Sequence, residues 1–360
     1  MQLKQSIPKQ SLATVMDIMN SKSTKTKVLL AGASDSIGRE ILTHLIEQKN
    51  RFEIAVFDRK SSGNMTFFER NKDILEVYYG DVLDYETLQQ ACRRQDFVIH
   101  NMSLPKGEAM RDHRQAETVN LLGTRNLIEA VEATSPGAMI LYLSTVGVYG
   151  DRLHSPMISV SDTVGPVIGD YDAITKLQAE KIVRDSKLDW IIYRPGYVLH
   201  TRQERLSPDF FRLPLASRLE FIHTKDLATA VVEAYAHRAK LWGHTFNVGG
   251  GELCRITYSK LVERFLERLH LKYEEIPDHC FAARNGSGGY FADSHVLQEI
   301  IAFQTYTVDR YFEELDKSRN LIRRVGAALW GAMRGKSFFS QSEPLKAYKS
   351  GDPIRIKYYF

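Results

Sequence analysis

The segment GDYDAITKLQAEK, residues 169–181, places a tyrosine and a lysine within reach of one another. A lysine ammonium beside a phenol favours the phenolate, which tunes a tyrosine toward proton exchange near neutral pH. The pair is Tyr171 and Lys176, five positions apart. On a regular helix a separation of four leaves two side chains ~40° apart, whereas five leaves them ~140° apart. The residue four before Lys176 is Asp172. Three arrangements are open. A one-residue bulge or a late helix start brings Tyr171 round to the lysine. Alternatively, Asp172 holds that position and the acid–base chemistry is altered. In the third arrangement the frame is kept and the chemistry is lost. We expect the first, because an aspartate beside the lysine would form an ion pair and be a poor acid. It requires an irregular backbone within residues 170–175.

A second candidate site is VLLAGASDSIGREIL, an apolar run, a glycine turn and then helical apolar spacing at Ile37, Ile41 and Leu45. Backbone N–H groups at such a helix start suit a pyrophosphate. Asp58, 26 residues after Gly32, closes the next apolar run. A carboxylate there accepts from both hydroxyls of an adenosine ribose, favouring NAD, while Arg59 beside it suits the 2′-phosphate of NADP. NAD is expected, with NADP as the alternative. The turn carries Gly32 and Gly38 but no glycine between them, where Asp35 or Ser36 stands. Asp35 either points outward and caps the helix or faces the phosphates and weakens binding.

These residues need a frame to position them. Short apolar runs at 27–32, 52–58, 74–81, 96–103, 138–145 and 189–196 alternate with helical patterns at 36–48, 85–93 and 112–133. That alternation predicts βαβ units and a Rossmann-like doubly wound parallel α/β sheet. After residue 196 the rhythm breaks, then resumes with a helix at 224–237, a strand at 244–249 and a helix at 256–269. We expect a leader over 1–26, a dinucleotide-binding domain over 27–195 to which 221–248 returns, a smaller substrate lobe over 196–335 and a basic tail over 336–360.

Of the 360 residues 43% are hydrophobic, enough for a sizeable core. The net charge of +4 is uneven: residues 1–27 carry +4, residues 317–360 carry +8 and the body between carries −8. An acidic body argues against a nucleic-acid surface. Three scattered cysteines give neither a disulfide framework nor metal-ligand spacing, so no metal and a reducing, cytoplasmic location are expected. The 307–334 pattern reads as one long helix with a basic, apolar end, suited to packing on the body or a second subunit as a homodimer, or to weak contact with a membrane surface.

Beyond these local features the chain resembles the extended short-chain dehydrogenase/reductase family of epimerase and dehydratase type. The resemblance runs from residue 27 to about 315 and rests on GDVLDYETL, FVIHNMS, VNLLGTRNLIEA, LYLSTVGVYGD, TKLQAE, YRPGYVLHTRQ, FIHTKDLATAV and TFNVGGGE, in family order. It implies hydride transfer with NAD(P) on a nucleotide-sugar-like or other hydroxy or keto substrate. The alternative is a catalytically impaired dinucleotide-binding sensor or scaffold. The catalytic group it implies is Thr145, Tyr171 and Lys176, the lysine also holding the nicotinamide ribose. The implied cofactor contacts are Gly32, Ser34, Asp35, Ser36, Ile37, Gly38, Asp58, Arg59, Asp81, Val82, Asn101, Met102, Ser103, Asn120 and Lys176. His100 is expected to be a core histidine, His223 to hold a turn, and Tyr149 to be a packing and substrate-edge residue. Arg202, Arg205, Arg212 and Arg218 border the expected substrate cleft. They suit a phosphorylated or nucleotide-linked substrate, or else pair with Glu204, Asp209 and Glu220.

Overall fold

A computed structural model of the protein describes residues 25–200, 208–317 and 337–360. The expected leader up to residue 24, Arg202, Arg205 and the basic stretch 318–336 lie outside the described residues. The strands in chain order are β1 (Thr26–Ala31), β2 (Phe52–Asp58), β3 (Leu75–Tyr79), β4 (Phe97–His100), β5 (Met139–Leu143), β6 (Met157–Ile158), β7 (Asp189–Pro195), β8 (Tyr197–Leu199), β9 (Arg218–His223), β10 (His244–Val248), β11 (Arg255–Thr257) and β12 (Tyr290–Phe291). Seven of them form one parallel sheet in the order β10-β7-β5-β4-β1-β2-β3. β4 and β5 are buried along their whole length, as continuous apolar strands covered on both faces must be.

Both faces carry helices. α1 (Ser36–Glu47) and, later in the chain, the helix Thr224–Glu233 cover one face through Ile41, Leu45, Leu227 and Val231. The helix α2 (Ser62–Glu69) follows β2 and is held by a capping box between Ser61 and Asn64. α3 (Tyr85–Cys92), α4 (Gly123–Thr134) and α5 (Tyr171–Asp185) cover the other face through Leu88, Leu127, Val131, Ala179 and Val183. The chain runs outward from β1 to β2 and β3, then returns to β4 on the far side of β1. The C-terminal ends of β1 and β4 therefore border a crevice, the place where open parallel sheets take ligands.

The helix expected over 112–133 runs continuously from His113 to Thr134 but is not regular throughout. A short helix His113–Ala116 passes into a wider π turn, Glu117–Leu122, before α4 begins. One extra residue per turn rotates Asn120 inward, where it is buried.

The remaining strands form two small sheets, β11-β9-β8 and β12-β6. The first packs with α7 (Tyr258–Arg268) and α8 (Val308–Lys317) around an aromatic core that includes Phe210, Phe211, Tyr258, Phe265 and Tyr311, and the second packs through Ile158 and Phe291 on Val148 and Tyr149, whereas α6 (Thr224–Glu233) is the helix already placed on the main sheet. The tail forms α9 (Glu343–Ser350) and α10 (Pro353–Tyr359). Their bounds have local causes: Ser342 and Asp352 cap the two starts, proline follows each cap, and Gly351 ends α9 at φ +68°. Among the described residues no helix is long and apolar enough to cross a membrane.

α5 is fastened to the sheet by a buried ion pair. Glu180 accepts from Arg194 of β7 at 2.9 and 2.7 Å and from Ser144 Oγ at 2.5 Å. Arg194 also lies 4.9 Å from the centre of the Tyr149 ring, and the Tyr149 hydroxyl bonds Asn247. Burial pushes the Glu180 carboxyl up, but the hydrogen bonds and charge of Arg194 outweigh this and hold it below its ordinary value. The stability it contributes is thus present above the ordinary carboxylate range and is lost as pH falls through the lowered value. Glu180→Gln leaves a buried guanidinium without its counter-charge and should cost about 3 kcal/mol or more, read by chemical denaturation at neutral pH.

Candidate active site in the crevice between β1 and β4

The glycine turn is shaped by close approach. Gly32 has φ +89°, and a Cβ on it would lie 2.8 Å from the backbone of Asn101 and Met102. A Cβ on Gly38 would lie 2.2 Å from the carbonyl oxygen of Gly32. Both positions therefore require glycine. Asp58, buried at the end of β2, braces the turn. Its Oδ2 accepts from Ala33 N at 2.8 Å and Ser34 Oγ at 2.6 Å, and its Oδ1 from Arg59 N at 2.7 Å. Arg39, which the sequence reading missed, donates to the carbonyls of Ser34 and Gly63 and so adds a cation at the glycine turn.

Asp35 combines features of both expectations. It caps α1, accepting from Gly38 N at 2.6 Å, yet it turns toward the crevice, where Asn101 Nδ2 donates to it at 3.1 Å. The same amide donates to Gly32 O at 2.8 Å. Asp35 keeps surface open to the crevice but is crowded from beneath by the protein. That crowding pushes its carboxyl up, against the opposing pull of the Gly38 and Asn101 hydrogen bonds and the charge of Lys176.

The other expected contacts surround the same end of the sheet. Ser36 is exposed and Ile37 half-buried at the start of α1. Asp81 is exposed and accepts from Leu83 N at 3.1 Å. Val82 is buried beneath Gly123. Met102 is buried and Ser103 half-buried just beyond β4. Asn120 accepts from Leu104 N at 2.7 Å and donates to Thr175 at 2.9 Å, tying the β4 loop to α5. His100 is buried against Thr124, and burial followed by the Lys176 charge pushes it down to about 3, so it stays neutral.

The expected irregularity near Tyr171 is absent. Asp170 caps α5 through Ala173 N at 3.2 Å, and the helix runs regularly from Tyr171 to Asp185. Thr175 Oγ1 donates back to Tyr171 O at 2.6 Å, as in an unbroken turn. The spacing of five therefore becomes a real angular separation, and Tyr171 does not face Lys176. Its ring packs 5.1 Å from His113, in a small cluster with Leu104, Ala109 and Ala116. Asp172 is buried on the lysine's face, with Oδ1 3.5 Å from Lys176 Nζ. The charge of Lys176 pulls down on both the Asp35 carboxyl and the His100 imidazole. Thr145, at the end of β5, is half-buried and caps the next turn through Gly147 N at 3.2 Å.

On the cleft side Lys106 Nζ bonds Asp170 at 2.9 Å. Arg212 pairs with Asp209 and Glu343, and Arg218 is exposed at the start of β9. Glu220 is paired with Arg255. Among the described residues no group of three His, Cys, Asp or Glu could hold a metal ion.

A family model described as NAD(P)H-binding matches residues 32–238. Among solved structures, MoeE5 in complex with UDP-glucose and NAD is similar at TM-score 0.62 and 20% identity, covering 84% of this chain and 99% of that one. The dTDP-glucose 4,6-dehydratase DesIV from Streptomyces venezuelae, with NAD bound, is similar at TM-score 0.67 and 19% identity, covering 81% of this chain and 97% of its own. The UDP-glucuronic acid 4-epimerase from Bacillus cereus, with UDP-glucuronic acid and NAD, is similar at TM-score 0.66 and 19% identity, covering 81% and 98%. With a match spanning the glycine turn, Asp58, Thr145 and the Lys176 helix, the chain belongs to the NAD(P)H-binding family and has the fold of NAD-dependent epimerases and dehydratases.

Proposed function

We propose that the protein binds NAD(H) in the crevice between β1 and β4 and that its hydride chemistry is impaired, making it a dinucleotide-binding sensor or scaffold on an epimerase/dehydratase frame. One observation carries this reading: the residue facing Lys176 from one turn away is Asp172, and Tyr171 is packed elsewhere. When bound, the dinucleotide supplies or takes a hydride, and the protein must move a proton at the substrate oxygen. A phenol beside an ammonium can do so in either direction. A carboxylate beside an ammonium forms an ion pair and is a poor donor to a carbonyl oxygen.

Most of the crevice fits the dinucleotide. The two forced glycines and the start of α1 suit the pyrophosphate. Asp58 suits the adenosine ribose, Lys176 the nicotinamide ribose, and Asn101, Met102 and Ser103 edge the same opening. Asp35 is the group at the glycine turn that opposes it. The competing reading, an NAD(P)-dependent epimerase, dehydratase or reductase acting on a hydroxy or keto substrate, draws support from the presence of Thr145 just beyond β5, Asn120 bonded to Thr175 and Lys176 on α5. In that reading Asp172 and Lys176 share the proton work. The three cysteines are free and buried, which supports a reducing compartment.

The test is direct. Protein purified without added cofactor should release NAD or NADH on denaturation, identified by mass spectrometry, or bind it on titration. It should also show no change in reduced-nicotinamide absorbance with hydroxy or keto compounds. Failure to bind either NAD or NADP at about millimolar concentration rejects the binding reading. Steady turnover by the unmodified protein rejects the impaired one.

A further inference from the structure

The tail 337–360 is built into the molecule, and it reaches the crevice. On the small-lobe side Phe338 packs 4.9 Å from Phe211, and the buried Ser342 donates to Cys280 O at 2.6 Å. Glu343 is held from both sides of the cleft, by Arg212 of the small lobe and by Arg111 of the segment after β4. The end of α10 is pinned through its backbone: Tyr359 O accepts from Ala283 N at 2.8 Å, and Tyr358 O accepts from Asn285 Nδ2 at 2.5 Å. These bonds hold the Tyr358 ring on Gly169, 3.3 Å from where a Cβ would stand. Gly169 immediately precedes Asp170, the cap of the helix that carries Asp172 and Lys176.

We infer that residues 352–360 form a fixed wall of the cleft, with Tyr358 seated on the Gly169–Asp170 turn, so that the second ligand of this crevice is a compact hydroxy or keto compound without a nucleoside diphosphate. This rests on the dinucleotide reading above and narrows it. A diphosphate-linked ligand needs an open path away from Lys176 and free cations along it. On the Gly169 side the path is covered by Tyr358. Two of the described rim cations have carboxylate partners already, Lys106 with Asp170 and Arg212 with Asp209 and Glu343, while Arg218 is exposed. Burial, then the charge of Asp170, pushes the Tyr358 hydroxyl up to about 12, so the wall presents a neutral phenol. The three solved relatives are matched over 97–99% of their own lengths yet cover only 81–84% of this chain, so this chain carries segments that the shared fold does without.

The experiment titrates UDP and UDP-glucose, with and without NAD, into the full chain, into Tyr358→Ala, and into a chain ending at Gly351 whose fold is checked by circular dichroism. The full chain should bind neither probe at about millimolar concentration, and at least one opened variant should gain tenfold or more in affinity. NAD affinity should stay within about threefold in all three. Submillimolar binding of UDP or UDP-glucose by the full chain overturns the inference, as does failure of both opened variants to gain it. If no version binds NAD, the dinucleotide reading fails, while the UDP comparison made without NAD still decides whether the wall exists.

Discussion

Asp35→Gly should tighten NAD(H) binding by about tenfold or more. The carboxylate accepts from Gly38 N at 2.6 Å, at the helix start where a pyrophosphate would seek donors. A carboxylate and a phosphate ~5 Å apart repel by on the order of 3 kcal/mol at an effective dielectric of ~20. Loss of the cap offsets little, because glycine in place of an aspartate N-cap costs only a few tenths of a kcal/mol, on the order of 0.3. The groups facing Asp35 are Asn101 beyond β4, Lys176 on α5 and Asp58 at the end of β2. Burial raises the Asp35 carboxyl, so it takes up a proton at a higher pH than an ordinary aspartate. An arriving pyrophosphate favours the protonated form further. Affinity in the unmodified protein should therefore rise as pH is lowered, and the Asp35→Gly variant should show a flatter profile. Calorimetric titration at several pH values checks both. A change of less than about threefold, with parallel pH profiles, would mean that the carboxylate does not meet the phosphates.

Asp172→Tyr should raise hydride-transfer activity well above that of the unmodified protein. The substitution puts a phenol four residues before Lys176 on a helix already shown to be regular, and so on the lysine's face. It supplies a phenol as proton carrier one turn from Lys176. Positioned acid–base groups contribute roughly 10²–10⁴-fold, so a rate below detection should become measurable with small secondary alcohols and NAD. Tyr171→Phe should change nothing, because that ring lies against His113. Absorbance of reduced nicotinamide reports both variants. If Asp172→Tyr stays silent while Asp172→Asn abolishes turnover found in the unmodified protein, the carboxylate is itself the acid–base group and the enzymatic reading holds.

The sequence by itself determined those features whose causes are local. Apolar runs had to be covered strands, and they became the seven-stranded sheet. Gly32 and Gly38 had to mark a tight turn. The arithmetic of four against five residues already stated that Tyr171 and Asp172 could not share one helix face. It did not tell whether the helix would be regular. That was decided by Asp170, whose cap starts α5 at Tyr171 and leaves no slack for an extra residue. The π turn at Asn120 was equally hidden, since Asn120 is rotated inward to partners outside its own segment, Leu104 and Thr175. The contacts that close the cleft join residues more than a hundred positions apart, such as Arg212 with Glu343 and Gly169 with Tyr358. Spacing and periodicity report only on neighbours within a few turns of chain. Which lysine meets which aspartate across a cleft depends on how the sheet, the lobe and the tail stack, and that is settled only when the whole chain has buried its apolar surface.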